Sequence, residues 1–384
     1  VPQVVLDAVQ NHLLARHVQR GGRYGRSQEV DAGIQRAREG VATFLNALEP
    51  EEVAFGMNAT SFIRLVSLAL AETLTNRREI IVSDMDHEAN IATWLILQRH
   101  GVQIRWWNMR DDGTLHVDDL LPLLSERTRL VACTMASNAL GSVVDVKRVA
   151  SLAHAKGAEV FLDAVHYAPH GPIDVQDIDC DYLVCSGYKI FAPHMGFLWG
   201  KRKALEALPT FREDFIPDAV PTKIEVGTFV YENVAGMNAA IGYLEELGTR
   251  LSKDEPTLSQ RATLVRAMEA IRDYEATLSI RVLAGLARVK SNSVTVYGVR
   301  DSQRIHMRVP TVCFNVQGAS PAKVATDLAE MGIGVRDGNM YSPRLLTRLS
   351  IAPESGAVRA SLAHYNSFEE VDRFLIAIHE IAGG

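Results

Sequence analysis

Between residues 50 and 200, short apolar runs alternate with amphipathic stretches, the pattern of an open, mostly parallel sheet covered by helices. The runs predict seven strands, at 52–55, 79–83, 103–107, 130–134, 159–163, 182–186 and 196–199, with helices between them at 61–74, 88–100 and 146–155. Several of these strands are apolar on both sides, so both faces of the sheet should be covered. Past residue 232 the texture changes to two long helical stretches, 233–247 and 258–274. After these come short strands at 293–297, 311–316 and 334–336 and helices at 321–331 and 368–382, the mark of a smaller α+β unit. The expected class is therefore α/β, with a large seven-stranded domain over 21–248 and a smaller domain over 249–384. A helical segment, 1–20, should pack on the small domain, and Arg20 to Ser27 reads as an irregular arm.

Length agrees with two domains, since 384 residues exceed one ordinary core. A net charge of -6 without a Lys/Arg block gives no footprint for nucleic acid. No apolar run approaches the roughly 20 residues that span a bilayer. Cys133, Cys180, Cys185 and Cys313 are scattered without CxxC spacing, which argues against a structural metal site or a disulfide framework and fits a reducing cytoplasm. The sequence opens at Val1 without an initiator Met or a basic-then-apolar leader, as expected where a short piece has been removed.

Two strand ends carry candidate chemistry. The run Val184-Cys185-Ser186-Gly187-Tyr188-Lys189 leaves an apolar strand with an amine at its carboxyl end, where open α/β sheets bind ligands. Partial burial there would depress the amine's pKa and make it a nucleophile, while a lysine that simply reaches solvent is the plain alternative. The run Val160-Phe161-Leu162-Asp163-Ala164-Val165-His166 ends a second buried strand in an acid. An Asp at such a place keeps the pyridine nitrogen of pyridoxal 5'-phosphate (PLP) protonated, which the cofactor needs as an electron sink. Helix capping is the competing role for Asp163.

The order Asp163, then Ser186-Gly187-Tyr188-Lys189, resembles the class V aminotransferase and cysteine desulfurase family of fold type I PLP enzymes. The likeness runs through Arg20-Gly21-Gly22, through Asp177-Ile178-Asp179-Cys180-Asp181 and on to Arg359-Ala360-Ser361-Leu362, nearly the whole chain. It implies a Schiff base on Lys189 and an acid partner in Asp163. The turn Asn58-Ala59-Thr60, which opens a helix, and Ser186 would hold the phosphate. His87 would stack on the ring, and Asn138 and His166 would be donors near the cofactor. Gly227 and Thr228 would reach the partner's phosphate across a homodimer with shared sites. Arg359 would hold the carboxylate of a small amino-acid substrate. Each has a local alternative: a cap for Asn58 or Thr60, a surface loop for His87, a turn for Asn138 or His166, a surface salt bridge for Arg359.

One segment departs from the family pattern. Where desulfurases of the nearest type carry a His-Cys pair, this chain has Met340 and Tyr341, and neither can form a persulfide. The expectation is a PLP enzyme, aminotransferase-like or desulfurase-like, without persulfide relay, in which Tyr341 either meets the substrate or packs in its loop. A carbon-sulfur β-lyase and a catalytically silent binding protein are the alternatives. A nucleotide-binding protein is disfavoured, because neither GxGxxG nor GxxxxGK[ST] follows a strand.

Overall fold

The computed structural model describes residues 1–252, 258–289 and 293–383. Seven strands form the large sheet: β1 (Val53–Gly56), β2 (Glu79–Ser83), β3 (Gln103–Trp107), β4 (Thr128–Thr134), β5 (Glu159–Asp163), β6 (Tyr182–Ser186) and β7 (Gly196–Gly200). Their spatial order is β1-β7-β6-β5-β4-β2-β3. The block from β3 to β6 is parallel, and β7 and β1 close one side antiparallel.

Alternation along each strand feeds two cores. Val160 and Leu162 point into one with the helices Gly25–Leu45, Val146–Ala155 and Tyr231–Leu251, while Phe161 enters the other with Ala59–Glu72 and Ala89–Leu95. Because β4, β5 and β6 are parallel and in register, Thr134, Asp163 and Ser186 emerge at one edge. Gly196 begins β7 at that same edge, opposite Ser186. A Cβ on Gly196 would lie 2.6 Å from the Asn58 backbone, so its absence lets the turn before Ala59 press against the edge.

The small sheet comprises β8 (Val294–Tyr297), β9 (Thr311–Val316), β10 (Arg336–Gly338) and β11 (Ala357–Ser361), antiparallel in the order β10-β11-β9-β8. Strand β11 is absent from the pattern reading, and β10 falls two residues after its predicted place, since Gly332 in the left-handed region ends the helix Pro321–Glu330 before a short connection. The helix Gln260–Leu286 runs well past its predicted end at residue 274. Leu264, Met268 and Ile271 belong to the large core, whereas Leu278, Val282 and Leu286 belong to the small one, so this helix ties the two units together.

The N-terminal segment corrects an expectation. The helix Gln3–Ala15 packs chiefly along Tyr231–Leu251, and Val5 joins the large core rather than the small domain. Among the described residues no helix is long and apolar enough to cross a membrane.

Candidate active site

A cleft lies at the carboxyl edge of β4, β5 and β6. It is bordered by Ala59, Thr60, His87, Asn138, Asp163, His166, Ser186, Lys189, Tyr341 and Arg359. Every residue read as a site candidate is therefore gathered here except Asn58, Gly227 and Thr228. The Asn58 side chain accepts from the Ser61 N–H at 2.9 Å in a capping box, so the local role read for it is filled. Gly227 and Thr228 are exposed away from the cleft, where the Thr228 hydroxyl accepts from Gln19 Nε2 at 2.9 Å.

Lys189 sits on the short helical turn that follows β6 and is largely screened from water. Burial lowers its pKa, and the positive charge of Arg359 lowers it further, while Asp163 pulls the other way. Asp163 is 6% exposed, and burial pushes its carboxyl up to about 6. The Val165 N–H at 2.9 Å and the charge of Lys189 oppose that rise. Its other oxygen accepts no hydrogen bond from the described residues, which leaves one acceptor for whatever enters the cleft.

His87 Nδ1 accepts from the Ala89 N–H at 3.1 Å, which leaves the ring proton on Nε2. Burial and the charges of Lys189 and Arg359 lower its pKa, so the ring is neutral. Asp86, the residue before it, is fully buried and pushed up to about 7 by burial, with Asn90 Nδ2 donating to it at 2.7 Å and Ser83 beside it. His166 Nε2 is 3.0 Å from the Thr311 hydroxyl, and burial drives its pKa well down. At the helix start, the Ala59 N–H donates to the Ser186 hydroxyl at 3.2 Å. The neighbouring N–H of Thr60 is a first-turn donor with no acceptor inside its helix.

The small domain closes the cleft. Asn138 Nδ2 donates to the Met340 carbonyl at 2.7 Å, the Ser342 hydroxyl donates to Asn138 Oδ1 at 3.1 Å, and the Glu88 N–H donates to the Tyr341 carbonyl at 2.8 Å. Met340 and Tyr341 have φ of 54° and 58°, a conformation that side chains rarely adopt and that costs of order 1–3 kcal/mol each. Tyr341 is thereby aimed at the cleft, its ring 5.6 Å from His87 and its hydroxyl 3.3 Å from Arg336. Arg359, on β11, donates through NH1 to the Asn138 carbonyl at 2.7 Å, while its buried Nε has no partner. It forms no salt bridge with the described residues, so the surface role does not apply.

The pattern reading passed over Thr134, Tyr188 and Asp86. Thr134 ends β4 as Asp163 ends β5, and its hydroxyl donates to the Ala136 carbonyl at 2.7 Å, so its place at a strand end was the signal available. Tyr188 lay within the lysine run itself, its ring 5.5 Å from the Lys189 nitrogen.

A family model, aminotransferase class V, matches residues 1–374. The chain is 32% identical to the aminotransferase-like protein FGM3 of Gibberella zeae, over 98% of this chain and 90% of that one. It is 34% identical to a probable cysteine desulfurase of Synechocystis, over 97% and 86% of the two chains. Among solved structures, the apo form of a cysteine desulfurase from Thermococcus onnurineus superposes with a TM-score of 0.88 at 26% identity, covering 100% of this chain and 92% of that one.

Proposed function

This chain belongs to the class V aminotransferase family of PLP-dependent enzymes, and we propose that it acts at the α-carbon of a free amino acid without passing sulfur to a thiol of its own. The observation that carries the reading is Arg359. A buried guanidinium nitrogen with no partner is costly, and here NH1 is pinned to Asn138, Nε is buried without a partner, and the Arg359 side chain borders the same cleft as Lys189. A planar carboxylate is the group that satisfies such a fork.

The residues present fit the family's cofactor. Ala59, Thr60 and Ser186 would hold its phosphate at a helix N-terminus, and the open oxygen of Asp163 would hold the proton on its ring nitrogen. His87 would cover one face, with Asn138 and His166 as further polar contacts. When bound, PLP supplies an electron-withdrawing ring that stabilises negative charge at the substrate's α-carbon. Lys189, with its lowered pKa, is the base for the α-proton. Arg359 and Asn138 fix the substrate's orientation, and the loop carrying Met340 and Tyr341 excludes water from above.

The absence of a persulfide relay is supported by the thiols. Cys133, Cys180, Cys185 and Cys313 are all buried, burial raises the pKa of each, and none borders the cleft. Thiols of this kind are inert. Elimination of a β-substituent is a second outcome favoured by Tyr341, whose hydroxyl beside Arg336 is a proton donor for a leaving group. A homodimer with shared sites is part of the proposal: Gly227 and Thr228 are exposed, and Phe211 and Val226 are exposed apolar side chains, Val226 next to them in the chain.

Purified protein should show a yellow absorbance band that Lys189→Ala abolishes. Incubation with a panel of amino acids, assayed for keto acid, ammonia and sulfide, divides transamination from elimination. A colourless protein that takes up no PLP would refute the reading.

A further inference from the structure

Beyond Arg359 lies a second recess that shares His166, Tyr188, Lys189 and Arg359 with the cleft. Its remaining walls are largely rings, with Val1 and Pro2 also bordering it. Phe191 meets His364 edge-on, centroids 4.9 Å apart at 83°, and His364 meets Tyr365 at 5.4 Å and 67°. Tyr243 joins them, its hydroxyl 2.7 Å from His364 Nε2. A contiguous set of ring edges and faces favours another ring over an alkyl chain.

The recess is also nearly free of charge. Apart from Lys189 and Arg359, no carboxylate, lysine or arginine borders it. His364 is held neutral, its pKa pushed down to about 4 by burial, and His166 is held neutral in the same way. His170 Nδ1 lies 2.9 Å from Oε2 of Glu275, a carboxylate that stands behind the wall at 1% exposure. His170 Nε2 has no hydrogen-bond partner among the described residues, so it offers a polar contact to an occupant. With Lys189 and Arg359 engaged by the substrate's own amine and carboxylate, a charged side chain entering here would find no further side-chain counter-charge on the walls. A small one would leave the recess unfilled.

We propose that this recess receives the side chain of the substrate, and that the substrate is an amino acid bearing a neutral aromatic or heteroaromatic ring. The inference rests on the amino-acid reading above. Arg359 and Lys189 border both spaces, so a substrate held by its carboxylate and amine has only its side chain left to enter the recess.

The test is titration of the holoenzyme with L-phenylalanine, L-tyrosine, L-leucine, L-alanine and L-aspartate, followed by cofactor absorbance and independently by calorimetric heat. Phenylalanine or tyrosine should bind about tenfold tighter than alanine or aspartate. Tyr365→Ala, at a position 73% exposed where folding is not at stake, should cut the preference for phenylalanine over alanine by roughly threefold or more, and so should Phe191→Leu. Leucine, alanine or aspartate binding as tightly as both aromatic amino acids overturns the inference and leaves the amino-acid reading intact. A yellow protein that answers to none of the five overturns that reading as well.

Discussion

A carboxylate at 6% exposure with a single N–H donor is an unstable thing to leave without a cation, and Asp163 has only the partial help of Lys189. Its carboxyl ionises near 4 in an unfolded chain and near 6 in the folded one. The folded state therefore favours the protonated form, and stability is lost as pH rises from about 4 through about 6, by an amount on the order of 3 kcal/mol. In cofactor-free protein, Asp163→Asn should raise the free energy of unfolding at pH 8 by roughly 1–3 kcal/mol and leave it nearly unchanged at pH 4, read from urea titrations at the two pH values. Added PLP should stabilise the wild type more than the variant, because a ring N–H would give the carboxylate its missing partner. An equal gain at both pH values would mean that the substitution acts through packing and not through charge. Asp163 and Lys189 were legible in the sequence because each ends an apolar run, and a polar residue at that point of a parallel strand has only the sheet edge to occupy. Asp86 was not legible: it precedes His87 in a polar loop, and nothing in its type or neighbours foretells the full burial that pushes it up to about 7.

At the scale of elements, the seven large strands were readable because buried parallel strands are short, apolar and bounded by turn residues. β11 was missed because Ala357-Val358-Arg359-Ala360-Ser361 has one large apolar side chain in five and draws its burial from β9 and β10 on either side. The helix Gln260–Leu286 was cut short because its apolar face turns from one core to the other midway and so keeps no single stripe. That helix meets Tyr231–Leu251 where Gly248 faces the Thr263 carbonyl, and a Cβ there would sit 2.0 Å from the oxygen. Gly248→Ala should force the helices apart and cost roughly 1–3 kcal/mol. Gly242, on an exposed face of the same helix, has nothing within 4 Å, and Gly242→Ala should stabilise by up to about 1 kcal/mol. Thermal melts of the pair separate close packing from helix propensity, since propensity alone would move both variants upward together.

For the whole molecule, the domain boundary is less a cut than a shared helix, and the loop at 339–343 locks the small domain onto the large one through Asn138 and Glu88. Another part of the large domain's surface is left unfinished. Phe211 is 98% exposed, Phe215 80% and Val226 74%, an apolar surface of the kind that marks a protein interface. Glu225, which leads into this segment, is anchored inside: it pairs with buried Arg38 at 2.8 Å and accepts from the Phe55 N–H at 3.0 Å. The stretch that follows is thus held rigidly at its root while Val226, Gly227 and Thr228 project outward. A second copy would cover the rings and bring Thr228 within reach of the partner's phosphate site. Phe211→Asp combined with Phe215→Asp should convert the proposed dimer to a monomer in sedimentation velocity at micromolar concentration, since a charge buried in an interface without a partner costs several kcal/mol. If the sites are shared, the same protein should lose affinity for PLP, and Thr228→Val should weaken PLP binding while the mass stays dimeric. A wild-type chain that sediments as a monomer while holding PLP tightly would rule out the shared-site arrangement.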